Sequence, residues 1–101
     1  MLKIEIYREL INEHKFFEAH EVLEEFWFPR RKNRDNLTLI VKGFINAAVA
    51  FELKKRGRVA NSKKVWQTYL KFMQLLEQKP EYKLLELKEF VDNFAKIYLD
   101  N

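Results

Sequence analysis

The sequence contains no cysteine, and it has only two glycines, two prolines and one serine. Without cysteine there is no disulfide, no thiolate metal ligand and no cysteine nucleophile. So few glycines and prolines argue against a β fold with many turns, and no glycine-rich phosphate loop is present. The one serine, Ser62, lies on the core-facing stripe of a predicted helix, which excludes a serine hydrolase.

The 101 residues suffice for one domain with one core. Hydrophobic residues make up 48% of the chain and aromatic residues 15%, so the composition excludes disorder. The net charge of +4 permits an acidic partner without requiring one. Lys3 and Glu5 interrupt the N-terminal segment, which therefore does not resemble a secretion signal. We expect a single cytoplasmic domain over residues 1–101.

An apolar run over residues 39–53 is the centre of the predicted fold. Eleven of its fifteen residues are apolar, and they fall on every side of a helical projection, as in a buried helix. A membrane span needs about 20 apolar residues, whereas this run is shorter and contains Lys42, Asn46 and Glu52. We therefore predict a central helix over about residues 36–56, and no membrane association.

Local signals bound the central helix and mark one thin face on it. Asp35 or Asn36 can cap its first turn, and Gly57 suits the left-handed position after its last turn. Gly43 and Ala47 project to one side together with Ala50. A glycine inside a helix costs about 1 kcal/mol relative to alanine, so this face predicts the close approach of a second helix.

Apolar residues at three- and four-residue spacing predict the remaining helices over residues 2–12, 16–28 and 59–77, and from 81 or 85 to about 99. Short connections make sequential helices antiparallel, which predicts an all-α, compact up-and-down bundle of four to five helices. The core-facing positions predicted for the outer helices are Ile6, Tyr7 and Leu10; Val59, Ser62, Trp66, Tyr69, Leu70, Met73 and Leu76; and Leu87, Phe90, Val91, Phe94, Ile97 and Tyr98.

The second helix carries a polar pair at the edge of its apolar face. His20 and Glu24 are four residues apart, so they are neighbours on the helix surface, and Phe17 and Trp27 flank them. We expect the pair to be half-buried and to need partners. Counting back from the connecting loop places His20 level with residue 44, so Asn46 is the expected partner across the thin face.

Three interpretations of this cluster are open. It can fix the register of two helices, as buried polar groups do in some proteins. Alternatively, His20 and Glu24 can ligate a divalent metal, with Glu21 or Glu52 adding an oxygen. In the third interpretation Glu24 orients His20 as a general base. The pattern H-E-x-x-E lacks the second histidine of the zinc-protease motif, and His14 lies off the face.

Two other surfaces suggest partners. Basic residues cluster at both ends of the central helix, which is about 30 Å long, so the clusters do not merge into one nucleic-acid stripe. Solvated helix ends are the favoured interpretation, and nucleic-acid binding is the weaker one. The clusters are Arg30, Arg31, Lys32 and Arg34, and Lys54, Lys55, Arg56 and Arg58. Apolar residues of the last helix, Tyr82, Leu84 and Leu85, form a possible homodimer face.

The second helix resembles the signature of a known family of helical proteins. The stretch Phe16-Phe17-Glu18-Ala19-His20-Glu21-Val22-Leu23-Glu24-Glu25-Phe26-Trp27 is similar to the (Y/F)-F-E-A-H-E-x-x-E-x-x-W motif of the domain of unknown function 309 family. The helix that begins at Gly43 and the turn at Gly57 extend the resemblance over about residues 7–76.

This resemblance implies a compact helical bundle with no established activity. By the motif, the positions of interest are His20, Glu21, Glu24 and Trp27. Asn46 stands where the family usually has glutamine, and Glu52 stands where relatives often carry histidine. Our leading expectation is a structural or interaction module with no required cofactor. The alternative is a metal-dependent or acid–base hydrolase that uses His20 and Glu24.

Overall fold

The computed structural model describes residues 1–100, which form five α-helices and one short 3-10 helix. No strand occurs among these residues. The helices are α1 (Ile4–Asn12), α2 (Phe16–Trp27), α3 (Asn36–Lys55), α4 (Val59–Gln78) and α5 (Tyr82–Tyr98), and the 3-10 helix, Phe28–Arg30, follows α2. Sequential helices pack antiparallel, so the predicted all-α bundle is confirmed.

The central helix α3 is the core of the bundle, as its apolar run predicts. Ten of its twenty residues are buried, and they lie on all sides because α2 and α4 both pack against it. By length and composition alone α3 could cross a membrane, but 56% of that window is buried inside the protein. Its apolar character is therefore explained by the packing of neighbouring helices.

Side chains and backbone turns mark the starts and ends of the helices where the sequence indicates. The Asp35 carboxylate accepts a hydrogen bond from the Thr38 amide at 2.8 Å and so caps α3. Gly57 follows α3 with a φ of +82°, which confirms its predicted left-handed conformation. His14 occupies the equivalent position after α1 with a φ of +60°, and its ring packs against Phe16 and Tyr98.

The thin face of α3 contacts α4. A Cβ atom on Gly43 would lie 2.7 Å from the Met73 Cε and 2.8 Å from the Phe72 Cβ. The Ser62 hydroxyl donates to the Ala50 carbonyl at 2.8 Å on the same side. The predicted close approach is therefore confirmed, but the helix that approaches is α4 and not α2.

The register of α2 against α3 differs from the prediction by about one turn. The ring centroids of Phe16 and Phe51 are 5.5 Å apart, and the Lys42 Nζ lies 4.4 Å from the Trp27 ring centroid. These contacts place His20 one turn beyond residue 44. The 3-10 helix explains this difference. It extends the chain by about 6 Å beyond Trp27, at about 2 Å per residue, so the connecting loop begins further from α2 than the sequence-based count assumes.

Most of the predicted core positions are buried or pack against the core, but four are not. Tyr7, Ser62, Tyr69, Met73, Leu76, Leu87 and Val91 are buried. The exposed positions are Ile6, Val59, Leu70 and Ile97. Helical spacing predicts that these four side chains face the core, but spacing alone does not fix which edge of an apolar stripe meets a neighbouring helix. In α1, Ile11 is buried instead of Ile6.

Candidate functional site

A narrow cleft of about 220 Å³ lies between the first half of α2 and the last turns of α3. Apolar side chains form most of its walls, and polar groups stand beside them. On α3 the lining positions recur at three- and four-residue spacing, so they share one helix face. The cleft is lined by Phe16, Phe17, His20, Val49, Glu52, Leu53 and Arg56.

The hydrogen bonds of His20 both remain inside α2. Its Nδ1 lies 2.9 Å from the Phe17 carbonyl oxygen, and its Nε2 contacts the Glu24 carboxylate. The His20 side chain is 20% exposed, and the Phe17 ring lies 5.2 Å from the imidazole. Both ring nitrogens therefore face oxygen acceptors, and only the doubly protonated ring donates to both.

The opposite wall carries a second ion pair. The Arg56 Nε donates to the Glu52 carboxylate at 2.6 Å, and the Glu52 side chain is only 18% exposed. Burial raises the pKa of the nearby Tyr98 hydroxyl, and the negative charge of Glu52 raises it further. Glu52 is thus paired with Arg56, on the side of the cleft across from His20.

Three of the residues singled out from the sequence line the cleft, namely Phe17, His20 and Glu52. Glu24 lies outside the cleft lining, and its carboxylate contacts the His20 Nε2. The structure does not bring the other three to the cleft. Glu21 is exposed, the half-buried Trp27 ring packs under Lys42, and the half-buried Asn46 bonds neither His20 nor Glu24.

The expected Asn46 contact fails because the thin face beside Asn46 meets α4 and not α2. Sequence reasoning missed Val49, Leu53 and Arg56 as cleft residues. A signal for Arg56 was present, because a glutamate four residues before an arginine on a helix favours an ion pair.

The metal interpretation lacks a third ligand. Within residues 1–100 there is no group of three or more histidine, aspartate or glutamate side chains that could hold a metal ion. His20 and Glu24 are adjacent, but Glu52 is paired with Arg56 and Glu21 points to solvent. Metal sites in helical bundles gather carboxylates and histidines from several helices, and the cleft does not.

The basic side chains at the ends of α3 largely bind helix termini. The Arg30 guanidinium donates to the Phe26 carbonyl at 2.7 Å and lies over the Phe26 ring. The Arg31 guanidinium donates to the Phe28 carbonyl at 2.7 Å and lies over the Phe28 ring. Such contacts satisfy carbonyls at helix ends.

The lysines at the other end of α3 act similarly. Lys54 donates to the Tyr98 and Leu99 carbonyls at the end of α5, and Lys55 donates to the His14 carbonyl. These contacts agree with the interpretation of the two basic clusters as helix-end residues.

The apolar residues proposed as a homodimer face do not form one surface. Leu84 is buried, and Leu85 packs against the core. Only Tyr82 is strongly exposed, at 75%. The two leucines belong to the core-facing side of α5, and homodimer formation stays a prediction that these contacts do not test.

These features define a small helical bundle with a narrow, polar-edged cleft between two antiparallel helices. A family model described as a domain of unknown function, DUF309, matches residues 4–65, and the chain belongs to that family. The match includes every residue that lines the cleft. The match starts three residues earlier than the resemblance noted above, which covers about residues 7–76, and it stops eleven residues earlier. No curated protein and no solved structure matches the chain.

Proposed function

We propose that this domain is an interaction module that binds an apolar group of a partner in the α2–α3 cleft. One observation supports the proposal above the others: the His20 ring forms part of the cleft wall, while both of its hydrogen bonds remain inside α2. The ring is thereby fixed in place without joining α2 to a neighbour.

A purely structural role would place the hydrogen bonds of His20 elsewhere. To fix the register of two helices, a polar side chain must bond across their interface. The partners of His20 are Phe17 and Glu24, three and four residues away on its own helix. The register of α2 and α3 depends instead on apolar contacts such as that between Phe16 and Phe51.

The geometry favours binding over acid–base chemistry. A general base must present a lone pair to the proton that it removes. Both nitrogens of His20 face oxygen atoms, so neither offers a lone pair to the cleft. For the same reason the ring nitrogens of His20 do not bind an anionic group beside the apolar pocket, and the charged donor available on the opposite wall is the Arg56 guanidinium.

The size and lining of the cleft restrict its ligand. Cavities for drug-sized ligands measure about 300–1,000 Å³, and this cleft measures about 220 Å³. Its volume suits one branched apolar side chain between Phe17, Val49 and Leu53. Arg56 keeps further guanidinium donors beyond the one given to Glu52. The preferred ligand is therefore a branched apolar group next to a carboxylate.

The test uses 4-methylpentanoate, which carries that combination, in an NMR titration of the 15N-labelled protein. We expect amide shifts at Val49 and Leu53 that saturate with a dissociation constant on the order of 1 mM, as eight heavy atoms allow. The neutral amide of the same acid should bind more weakly.

The matched control is Val49→Phe, which fills the cleft with a larger apolar side chain on the same helix face. This variant should fold and lose the response. Equal shifts in the wild type and in Val49→Phe, or no shifts near the cleft in either, would contradict the proposal.

A further inference from the structure

A second groove, larger than the α2–α3 cleft, lies between α4 and α5. Its volume is about 530 Å³. Val59, Trp66 and Leu70 line it from α4, and Ala95 of α5 and Leu99, directly after α5, line it from the other side. Val59 is 45% exposed and Leu70 is 39% exposed. The two are eleven residues apart on one helix face, so the apolar stripe is about 16 Å long.

The rim of this groove is basic. Lys63 and Lys96 stand on its two sides and are exposed. Two aspartates, Asp92 and Asp100, also line the groove. The Asp92 carboxylate accepts the Tyr69 hydroxyl at 2.8 Å and the Lys88 ammonium at 2.7 Å. Residues 54–76 contain seven lysines and arginines and no acidic residue.

The outer face of α2 has the opposite charge and the same kind of apolar residues. Phe17 is 49% exposed, and Phe28, directly after the helix, is 55% exposed. Glu21 and Glu25 lie between them on the same face and are exposed. Two exposed phenylalanines stand at the ends of this acidic face. The Arg31 guanidinium covers part of the Phe28 ring, and the Glu25 carboxylate pairs with a lysine of the N-terminal segment at 3.3 Å, so the uncovered part of the surface is formed by Phe17, Glu21 and the remaining face of the Phe28 ring.

The spacing of the two surfaces is the same. Phe17, Glu21 and Phe28 stand at positions i, i+4 and i+11 of α2 and its extension. Val59, Lys63 and Leu70 stand at i, i+4 and i+11 of α4. Parallel alignment of the two helices places each phenylalanine on an aliphatic residue and Glu21 on Lys63. The antiparallel alignment places no lysine opposite Glu21.

We propose that the α4–α5 groove of one copy receives the α2 face of a second copy, with the two helices parallel. Phe17 and Phe28 then cover the exposed Val59 and Leu70, and Glu21 pairs with Lys63. The contact joins two different surfaces, so it is heterologous and closes only if the rotation between copies allows. It shares Phe17 with the wall of the α2–α3 cleft but requires no ligand there.

Sedimentation velocity over a concentration series tests the proposal. We expect reversible self-association of the wild type at low salt, weakened as sodium chloride rises from about 0.05 to 0.5 M, because exposed charges are screened. Lys63→Glu should raise the dissociation constant by about tenfold or more, because like charges then face each other. Lys64→Glu is the matched control: it changes the net charge equally but lies outside the groove, and it should associate as the wild type does at matched ionic strength.

Reversing the two charges in separate variants tests whether Glu21 of one copy pairs with Lys63 of another. Glu21→Lys should associate as weakly as Lys63→Glu when each is alone. Mixed together, the two variants restore an opposite-charge pair at every contact between unlike copies, so the mixture should associate far more strongly than either variant alone and approach the wild type. Circular dichroism checks that both variants, which alter exposed residues, remain folded.

Three results would overturn the proposal. The first is a wild type that stays monomeric at the highest concentration reached. The second is equal weakening by Lys63→Glu and Lys64→Glu. The third is a mixture of Glu21→Lys and Lys63→Glu that remains as weak as its components, which would mean that the acidic face and the groove do not meet.

Discussion

At the scale of single residues, His20 shows how a polar side chain can be well bonded and still contribute little to stability. Its pair with Glu24 is an i, i+4 contact, worth about 0.2–0.5 kcal/mol. Alanine at this helical position returns up to about 0.7 kcal/mol through its higher propensity. We therefore expect His20→Ala to change the free energy of unfolding by less than about 1 kcal/mol, measured by urea denaturation at neutral pH.

The control for this measurement is Glu21→Ala, on the same helix but exposed. A loss of about 2 kcal/mol or more for His20→Ala alone would identify a satisfied core residue and would remove the main support for the binding proposal. Stabilisation of the wild type by an added divalent metal, absent in His20→Ala, would instead favour a metal site.

Asp35 gives a residue-scale prediction with a defined pH range. The backbone hydrogen bond from Thr38 lowers the pKa of the Asp35 carboxyl, and burial opposes this only weakly. A pKa that is lower in the folded than in the unfolded state adds stability above the unfolded value of about 3.9. That contribution is lost as the pH falls through the folded pKa, so the cap weakens below about pH 4.

The variant that isolates this effect is Asp35→Asn, because asparagine also caps helices but does not titrate. The midpoint of thermal unfolding should fall less steeply for this variant than for the wild type between about pH 5 and pH 2. Identical slopes for the two proteins would show that the Asp35 carboxylate does not stabilise α3 through its charge.

The polar site was only partly predictable from single residues. The contact of His20 with Glu24 follows from helical periodicity, as does the pair of Glu52 with Arg56. What joins the two pairs in one cleft is the offset between α2 and α3. That offset depends on three residues of 3-10 helix after Trp27, and Pro29 indicates only that the α-helix ends near there.

At the scale of elements, the contact between α3 and α4 depends on the absence of a side chain at Gly43. An alanine Cβ there would meet the flexible end of Met73, which can move, and the Phe72 Cβ, which cannot move without its backbone. Overpacking costs about 1–3 kcal/mol, and the gain in helix propensity offsets about 1 kcal/mol of it. We expect Gly43→Ala to destabilise the protein by up to about 2 kcal/mol in urea denaturation.

Gly57→Ala is the informative comparison because no heavy atom lies within 4 Å of the added Cβ. Its cost should come from the positive φ alone, about 1 kcal/mol. Stabilisation by Gly43→Ala would mean that α4 moves away from α3 without penalty and that the thin face is not a packing requirement.

The sequence does not predict which helix packs against the thin face of α3. The face itself is visible in Gly43 and its alanine neighbours, because small residues at helical spacing project together. Either α2 or α4 can use it, and the choice depends on the side chains that each presents. The methionine and phenylalanine of α4 fill the space beside Gly43, while α2 packs its aromatic residues against Phe51 and Lys42.

At the scale of the whole molecule, the architecture was predictable because every local signal agreed with it. Apolar periodicity, the cap at Asp35 and the turn at Gly57 indicate the same helix boundaries to within one or two residues. Agreement between local and global preferences is what makes such a fold specific. The surfaces were less predictable, since the positions that failed, including Val59 and Leu70, are those at the edges of helix faces.

The attachment of α5 has a consequence for how the molecule opens. Its last turns join the bundle through rings, with Phe94 and Tyr98 packed on Phe16 and Phe51, and through the Lys54 ammonium on its terminal carbonyls. Segments of low local stability separate from the native structure before global unfolding and exchange their amide hydrogens first. Release of α5 would remove one wall of the basic groove, so a molecule in which α5 has opened would have lost that surface before it unfolds globally.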